Sequence, residues 1–350
     1  MDGYFNYPIE SLFNDIRKNM KSFNKYLAYS LILLNTPLAL ADISEVTPNK
    51  VINAFEETFG ITQGERRNHT KGTCAVGEFT GLKDAAILSR SELFSGKSLP
   101  IIARFSLAGG NPNAPDTAKS PRGLALEFTL PDGSMQHMTM LNTPIFGAAN
   151  PQTFYDMLLA KRPDPLTGKP DPKKIKAFKD SHPDSAAQAH FMANNNPPSN
   201  YYSSAYYGIH TFKFVNKFND VTLVRWRFVP HDGEIQLSKA ELQSLPANFL
   251  EQALIKRTEE TAVKWDMLVT IGEPNDVQDN STIAWPKDRK EIKAGTLTIS
   301  KAMIQKGAKC ENINFDPLIL SNGIEATNDP ILLFRSPSYA ISFAKRLSNQ

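Results

Sequence analysis

The chain has 350 residues, with Lys+Arg 39 against Asp+Glu 36 for a net charge of +3, and it is 41% hydrophobic and 21% charged. That balance belongs to a folded chain rather than a disordered one, and the length allows one large domain or two modest ones, each with a proper core. The small charge excess, with no basic run interleaved with aromatics, excludes a dedicated nucleic-acid binder, and two cysteines exclude a disulfide framework or a cysteine-rich metal cluster. Cys74 and Cys310 could form at most one bridge, and they read as free, buried thiols.

From Met20 the chain carries Lys21 and Lys25, then the mostly apolar Tyr26 to Leu40, then the small-residue site Ala39-Leu40-Ala41. Asn35-Thr36-Pro37 interrupts the apolar stretch, well short of the roughly 20 residues a spanning helix needs. Residues 20–41 therefore read as a cleaved secretory signal, and residues 1–19 as an extension upstream of a true start at Met20. The mature domain, 42–350, is expected in a periplasm or outside the cell, free of the membrane.

Residues 43–60 read as an amphipathic helix, with Val51, Ile52, Phe55 and Phe59 on one side and Glu56 and Glu57 outward. Strands follow at 75–79, 101–106 and 124–128, separated by turns at 109–113 and 131–133. Residues 150–189 are helical in places, broken by the Pro- and Lys-rich stretch 162–179. A second strand block covers 206–215, 221–228, 264–270 and 296–300, with a helical insertion at 239–256, and the chain ends on a helix at 329–346. Two blocks of non-local strands with inserted helices fit an α+β domain built on an antiparallel barrel better than βαβ units.

No Walker loop, Rossmann glycine fingerprint, nucleophile elbow or paired-histidine zinc motif is present, and the six histidines are scattered. His69 stands out by its setting, Arg66-Arg67-Asn68-His69-Thr70-Lys71-Gly72, followed by Arg104-Phe105-Ser106. Asp116-Thr117, Pro121-Arg122-Gly123 and Asn142-Thr143-Pro144-Ile145-Phe146 come next, then Tyr207 to Lys213 (YGIHTFK) and Trp285-Pro286. Phe315-Asp316-Pro317, Gly323-Ile324-Glu325 and Arg335-x-x-x-Tyr339 complete the set. In this order, over roughly residues 48–348, the motifs resemble those of the heme catalases. The resemblance implies an antiparallel eight-stranded β-barrel core with inserted and flanking helices, and heme b as cofactor.

By that resemblance Tyr339 is the axial iron ligand, with Arg335 at its oxygen and His210 and Asp329 behind the arginine. A phenol binds ferric iron as phenolate, and a neighbouring guanidinium favours that form. His69 becomes the acid–base residue that shuttles the peroxide proton, Ser106 fixes its tautomer, and Arg66, Arg104 and Arg346 bind the heme carboxylates. Phe146 falls at a heme-contacting position.

Departures from the family pattern shape the functional expectation. Leu141 stands at the first asparagine position of the family's Asn-Asn-Thr-Pro, where catalases hydrogen-bond peroxide. Asn142 is the residue that could stand in for it, although on an extended segment it faces the other way. Gly147 replaces the second of two phenylalanines, and Pro337 is expected to kink the final helix or restart it after Ser336. The long N-terminal arm, C-terminal helical extension and nucleotide patch of full-size members are not recognised.

Together these features predict a wide route to the heme and a peroxidase that reduces hydrogen peroxide or small organic hydroperoxides with an unidentified electron donor. Alternatives are a catalase, a hydroperoxide-rearranging enzyme, and a heme carrier; the His69–Ser106 pair argues against the last. A monomer or homodimer is expected. The lysines from 161 to 179 read as a solvated face, or as a docking patch for an acidic redox partner.

Overall fold

A computed structural model describes residues 45–349. The predicted extension and signal, 1–41, lie outside the described residues. The first helix, α1 (Pro48–Phe59), starts where the Thr47 side chain accepts from the Lys50 amide at 3.3 Å, with Pro48 in the first turn. Its predicted apolar face is the buried one, with Val51, Ile52 and Phe55 at most 7% exposed. Glu56 does not point to water as expected. It pairs with Arg67 at 2.6 Å and Lys345 at 2.8 Å, tying α1 to the loop before the first strand and to the last helix.

The strands are β1 (Gly72–Gly81), β2 (Ser98–Leu107), β3 (Arg122–Thr129), β4 (Met135–Leu141), β5 (Tyr206–Val215), β6 (Val221–Pro230), β7 (Val263–Ile271), β8 (Glu291–Ile304) and β9 (Ile324–Ala326). They form one sheet in the order β4-β3-β2-β1-β8-β7-β6-β5-β9, and a β4–β5 pairing closes the first eight into an antiparallel barrel. The seam is the pair Leu141↔Tyr207. Side chains alternate between faces along each strand. Phe79, Phe105, Phe128, Phe228 and Trp265 fill the interior with no exposed surface, while Arg104, Ser106, Ala125 and Thr139 point outward.

Against that outer face lie α1, α2 (Pro151–Lys161) and α6 (Pro330–Leu347), which share a second hydrophobic cluster. The Pro- and Lys-rich stretch is interrupted as predicted, but part of it forms α3 (Pro172–Ser181), a helix with no buried residue; α4 (Ala186–Asn194) follows. The insertion expected at 239–256 is one turn, Glu241–Ser244, then α5 (Phe249–Glu260), with Pro246 between them. Of the two outcomes expected at Pro337 the restart does not occur, because α6 runs through it as one helix. Pro337 and Leu333, one turn earlier, are both exposed, so the amide that Pro337 lacks is missing on the exposed side of the helix.

Cys74 and Cys310 are not free thiols. They form a disulfide with Cα atoms 5.6 Å apart, linking β1 to the 3₁₀ turn Lys309–Asn312. Both are buried, with Phe315, Ile102 and Met303 around them. Closing a loop this long restricts the unfolded chain, so the Cys74→Ala/Cys310→Ala variant is expected to lose about 2–5 kcal/mol of stability. Urea unfolding of both proteins measures this, and an unmoved midpoint would contradict it.

Candidate active site

A cavity of about 420 Å³ lies between the outer face of β2–β4 and helices α1, α2 and α6. His69, Ser106, Leu141 and Thr139 line it from the barrel side, Val51, Phe55 and Phe154 from α1 and α2, and Arg335 and Tyr339 from α6. His69 sits in the left-handed region at φ 54°, a conformation that costs a non-glycine residue roughly 1–3 kcal/mol. Three bonds hold it there. Asn68 Oδ1 accepts from the His69 amide at 2.9 Å and from the Gly109 amide at 2.8 Å, and Arg104 Nη2 donates to the His69 carbonyl at 2.7 Å.

The imidazole Nδ1 lies 2.9 Å from Ser106 Oγ. Gly123, from the Pro-Arg-Gly motif, permits this approach, because a Cβ there would stand 2.7 Å from Ser106 Oγ and 3.0 Å from the His69 ring. Burial, then the positive charges of Arg104, Arg335 and Arg66, lowers the His69 pKa to about 3.

On the α6 side, Arg335 Nη2 donates to the Tyr339 phenol oxygen at 2.7 Å and to Thr139 Oγ1 at 2.7 Å. Its Nη1 lies 3.1 Å from His210 Nε2, and His210 Nδ1 is 2.7 Å from Asp329 Oδ2. Burial depresses the His210 pKa against the opposing pull of Asp329. A neutral ring that donates from Nδ1 to the carboxylate and accepts from the guanidinium at Nε2 satisfies every group in the row. Asp329 also caps α6, its Oδ1 accepting the Ile331 and Leu332 amides at 2.9 and 3.2 Å. The helix start thereby fixes the row that orients Tyr339 one turn after Arg335.

These two histidines set a pH dependence. Both are depressed below 6.5 in the fold, so the unfolded chain binds the extra protons. Their contribution to stability is complete above pH 6.5 and is lost as pH falls from there towards about 3. Urea midpoints at pH 7 and 4.5 should show the lower value at 4.5, and His69→Gln should reduce that difference; an unchanged difference would contradict the assignment.

Three arginines reach the cavity from separate segments: Arg66 before β1, Arg104 on β2 and Arg346 in the last turn of α6. Burial and the charges of Arg104 and Arg346 push the Arg66 pKa down to about 8, and burial lowers Arg104 to about 10. The Arg66 Nη1 atom is buried and has no partner. Three crowded cations beside an unpaired buried donor form a site for anionic groups.

The family model described as Catalase matches residues 55–350. The chain belongs to the catalase family. A catalase-related peroxidase of Synechococcus elongatus is 56% identical over 326 residues, covering 92% of this chain and 96% of the relative. One from Mycolicibacterium paratuberculosis is 31% identical over 302 residues, covering 86% and 95%. Catalase A from Saccharomyces cerevisiae shares the fold, with TM-score 0.76 at 24% identity over 82% of this chain and 62% of the solved one. The chain thus spans nearly the whole of the two catalase-related peroxidases and about three fifths of a full-size catalase.

Catalase-family proteins bind heme, and the residues of this cavity fit it. No group of three His, Cys, Asp or Glu side chains among the described residues could hold a bare metal ion. The cavity instead offers apolar walls, one phenol braced by an arginine, and the unpaired Arg66 donor with two further guanidiniums, a donor set that suits a macrocycle bearing carboxylates.

The structure gathers His69, Ser106, Arg66, Arg104, Phe146, His210, Arg335, Tyr339 and Arg346 around this catalase-family cavity, with Asp329 directly behind His210. Asn142 is not among them. Its side-chain oxygen accepts from the Arg122 amide at 2.7 Å and its own amide donates to the Arg122 carbonyl at 2.9 Å, so it secures the end of β4, and the catalytic placement is corrected. Leu141 faces the cavity in its stead.

The opening expected at Gly147 is partly filled. A Cβ at 147 would lie 2.4 Å from Gln188 Oε1, and Gln188 Nε2 donates to Thr143 Oγ1 at 3.1 Å and the Ile145 carbonyl at 3.0 Å. Sequence reading missed Gln188 and Thr139. Thr139 shares a strand face with Leu141, and that spacing was the available signal; Gln188 had none.

Proposed function

We propose that this chain is a heme b-dependent peroxidase, with Tyr339 as the axial iron ligand, reducing hydrogen peroxide or small organic hydroperoxides at the expense of an electron donor. The reading rests on Leu141: the cavity carries the histidine–serine pair but an apolar side chain where a second hydrogen-bonding group would hold peroxide as a reductant. The two relatives that match nearly full length bear the name catalase-related peroxidase, which supports it.

Heme, when bound, supplies a ferric iron that accepts peroxide oxygen and oxidising equivalents. With Nδ1–H donated to Ser106 Oγ, His69 Nε2 carries the lone pair facing the cavity. It takes the proton from one peroxide oxygen and delivers it to the other, whose bond breaks to release water or an alcohol. A pKa held near 3 keeps the ring neutral and ready as a base throughout the physiological range. Arg66, Arg104 and Arg346 bind the cofactor carboxylates, and Arg335 holds the Tyr339 oxygen. Over a cycle one hydroperoxide, two protons and two electrons, the last from two molecules of a phenol-type donor, give water and an alcohol, or two waters.

The signal-like pattern at 20–41 supports a periplasmic or extracellular setting for this activity, and we read the protein there as a monomer or homodimer. A hydroperoxide-clearing role there is antioxidant.

The heme-loaded protein should consume an oxidisable phenol in a peroxide-dependent way and release little oxygen in an oxygen electrode. Brisk oxygen release without phenol would overturn the peroxidase reading in favour of a catalase. Leu141→Asn restores a polar group beside His69 and should raise oxygen release by about tenfold, the worth of roughly one added hydrogen bond to the reacting peroxide. Unchanged oxygen release would show that Leu141 does not set the balance.

A further inference from the structure

Among the described residues neither Arg66 nor Arg346 makes a salt bridge; Glu65 and Glu311 act on both only through their charge. Arg66 Nη2 donates instead to the carbonyls of Cys310, Glu311 and Ile313, at 3.0, 3.1 and 2.7 Å. Arg346 Nη1 donates to the Glu311 carbonyl at 2.6 Å, with Nη2 at 3.5 Å from that of Ile313. The turn Lys309–Asn312 and the residue after it therefore present one set of backbone acceptors to both arginines, which arrive from opposite ends of the chain. This leaves Arg66 Nη1 buried, unpaired and available to an anion.

The turn follows β8 outside the sheet ladder, so its position depends on what joins it to the barrel. An apolar cluster around Phe315 is one attachment. The covalent one is the disulfide from Cys310 to Cys74 on β1, and Cys310 itself supplies one of the Arg66 acceptors. A shift of the turn away from β1 would carry the acceptors of both arginines with it. Carbonyls are weaker fixtures than carboxylates, and their direction matters because each guanidinium fork is planar and rigid.

We propose that the Cys74–Cys310 disulfide is the positioning element of the anion clamp, so that Arg66 and Arg346 retain a carboxylate-bearing cofactor tightly only in the disulfide-bonded chain. This rests on the proposed reading of the cavity as a heme site. It means that a chain without the bridge binds the cofactor loosely, and that the bridge is a condition of a stable holoprotein.

The test compares the wild-type chain with Cys74→Ala/Cys310→Ala, each loaded with hemin, following hemin transfer to excess apomyoglobin. Loss of the bridge should speed release by at least about tenfold, as loss of an outer partner does at other cofactor sites. In an Arg66→Ala/Arg346→Ala background the same loss should add less than about twofold, since the disulfide then has no arginines to position. Equal multiplication of release rates in both backgrounds would mean a general loosening and would overturn the proposal.

Amide hydrogen exchange on the heme-free proteins gives a second reading that does not depend on loading. Core amides of β5–β7 should lose protection only in step with the fall in global stability, while those of the 309–313 segment should lose clearly more, and a segment that loses no more than the core would overturn the proposal. A wild-type chain that takes up no hemin would overturn the functional reading itself. Release that the bridge does not affect overturns only the positioning role of the disulfide.

Discussion

Replacing His69 with Gln is expected to slow peroxide consumption by the heme-loaded protein by about 10²–10⁴-fold, the usual worth of a positioned acid–base group. The carboxamide fits the same space and keeps a polar atom towards Ser106, so the cavity and the arginine clamp persist. What disappears is a group that can take a proton from one peroxide oxygen and return it to the other. His69 has the means and a free ring nitrogen: Ser106 serves its other nitrogen at 2.9 Å, His210 has both ring nitrogens held by Asp329 and Arg335, and the guanidiniums give up a proton far less readily. Hemin affinity should stay within about threefold of wild type, so the loss falls on the rate and not on loading. Stopped-flow measurement of the first reaction with peroxide decides the matter, and a variant that reacts at the wild-type rate would remove His69 from the mechanism. Ser106→Ala should give a smaller loss in the same measurement, because it frees the ring to adopt the wrong tautomer without deleting it.

The second large effect is expected at Tyr339. Tyr339→Phe removes the oxygen to which Arg335 Nη2 donates at 2.7 Å and leaves the ring in place over the cavity. Loss of an outer partner of a metal ligand costs about 10–100-fold in affinity, so deleting the ligand itself should cost more than about 100-fold in hemin affinity and abolish peroxidase turnover. Titration with hemin, read with the visible spectrum of the product, checks both parts. Hemin bound at wild-type affinity with an unchanged spectrum would show that another residue is the axial ligand. Asp329→Asn should move in the same direction by a smaller step, because the amide still caps α6 but no longer holds His210 through a charge. The row Asp329–His210–Arg335–Tyr339 then grades the effect: the nearer the change lies to the phenol oxygen, the larger the loss.

The sequence placed most of this site by itself. Strand positions followed from alternation of apolar and polar residues, which is a local property: Phe105 turns inward and Arg104 and Ser106 outward because successive side chains take opposite faces. The same rule foretold that Asn142 and Leu141 face opposite ways, and the structure agrees that Leu141 takes the cavity side. The four-residue spacing of Arg335 and Tyr339 put guanidinium and phenol on one helical face before any fold was known. Helix α1 and its buried stripe were legible for the same reason of period.

What only the tertiary structure decided are the contacts between segments distant in sequence, where no period applies. The Cys74–Cys310 bridge spans a sequence separation of 236 and joins two isolated cysteines with no spacing to betray them. Glu56 looked like a solvated helix residue until Arg67 and Lys345 converged on it from two other elements. Gln188 fills the space beside Gly147 because α4 folds back over the 143–147 segment, and nothing in either stretch announces that meeting. Side-chain pattern is written residue by residue and can be read without the fold. Which carbonyl meets which guanidinium is set by barrel closure and helix packing, and so Arg66 and Arg346 came to share one backbone turn that their own sequence neighbourhoods do not contain.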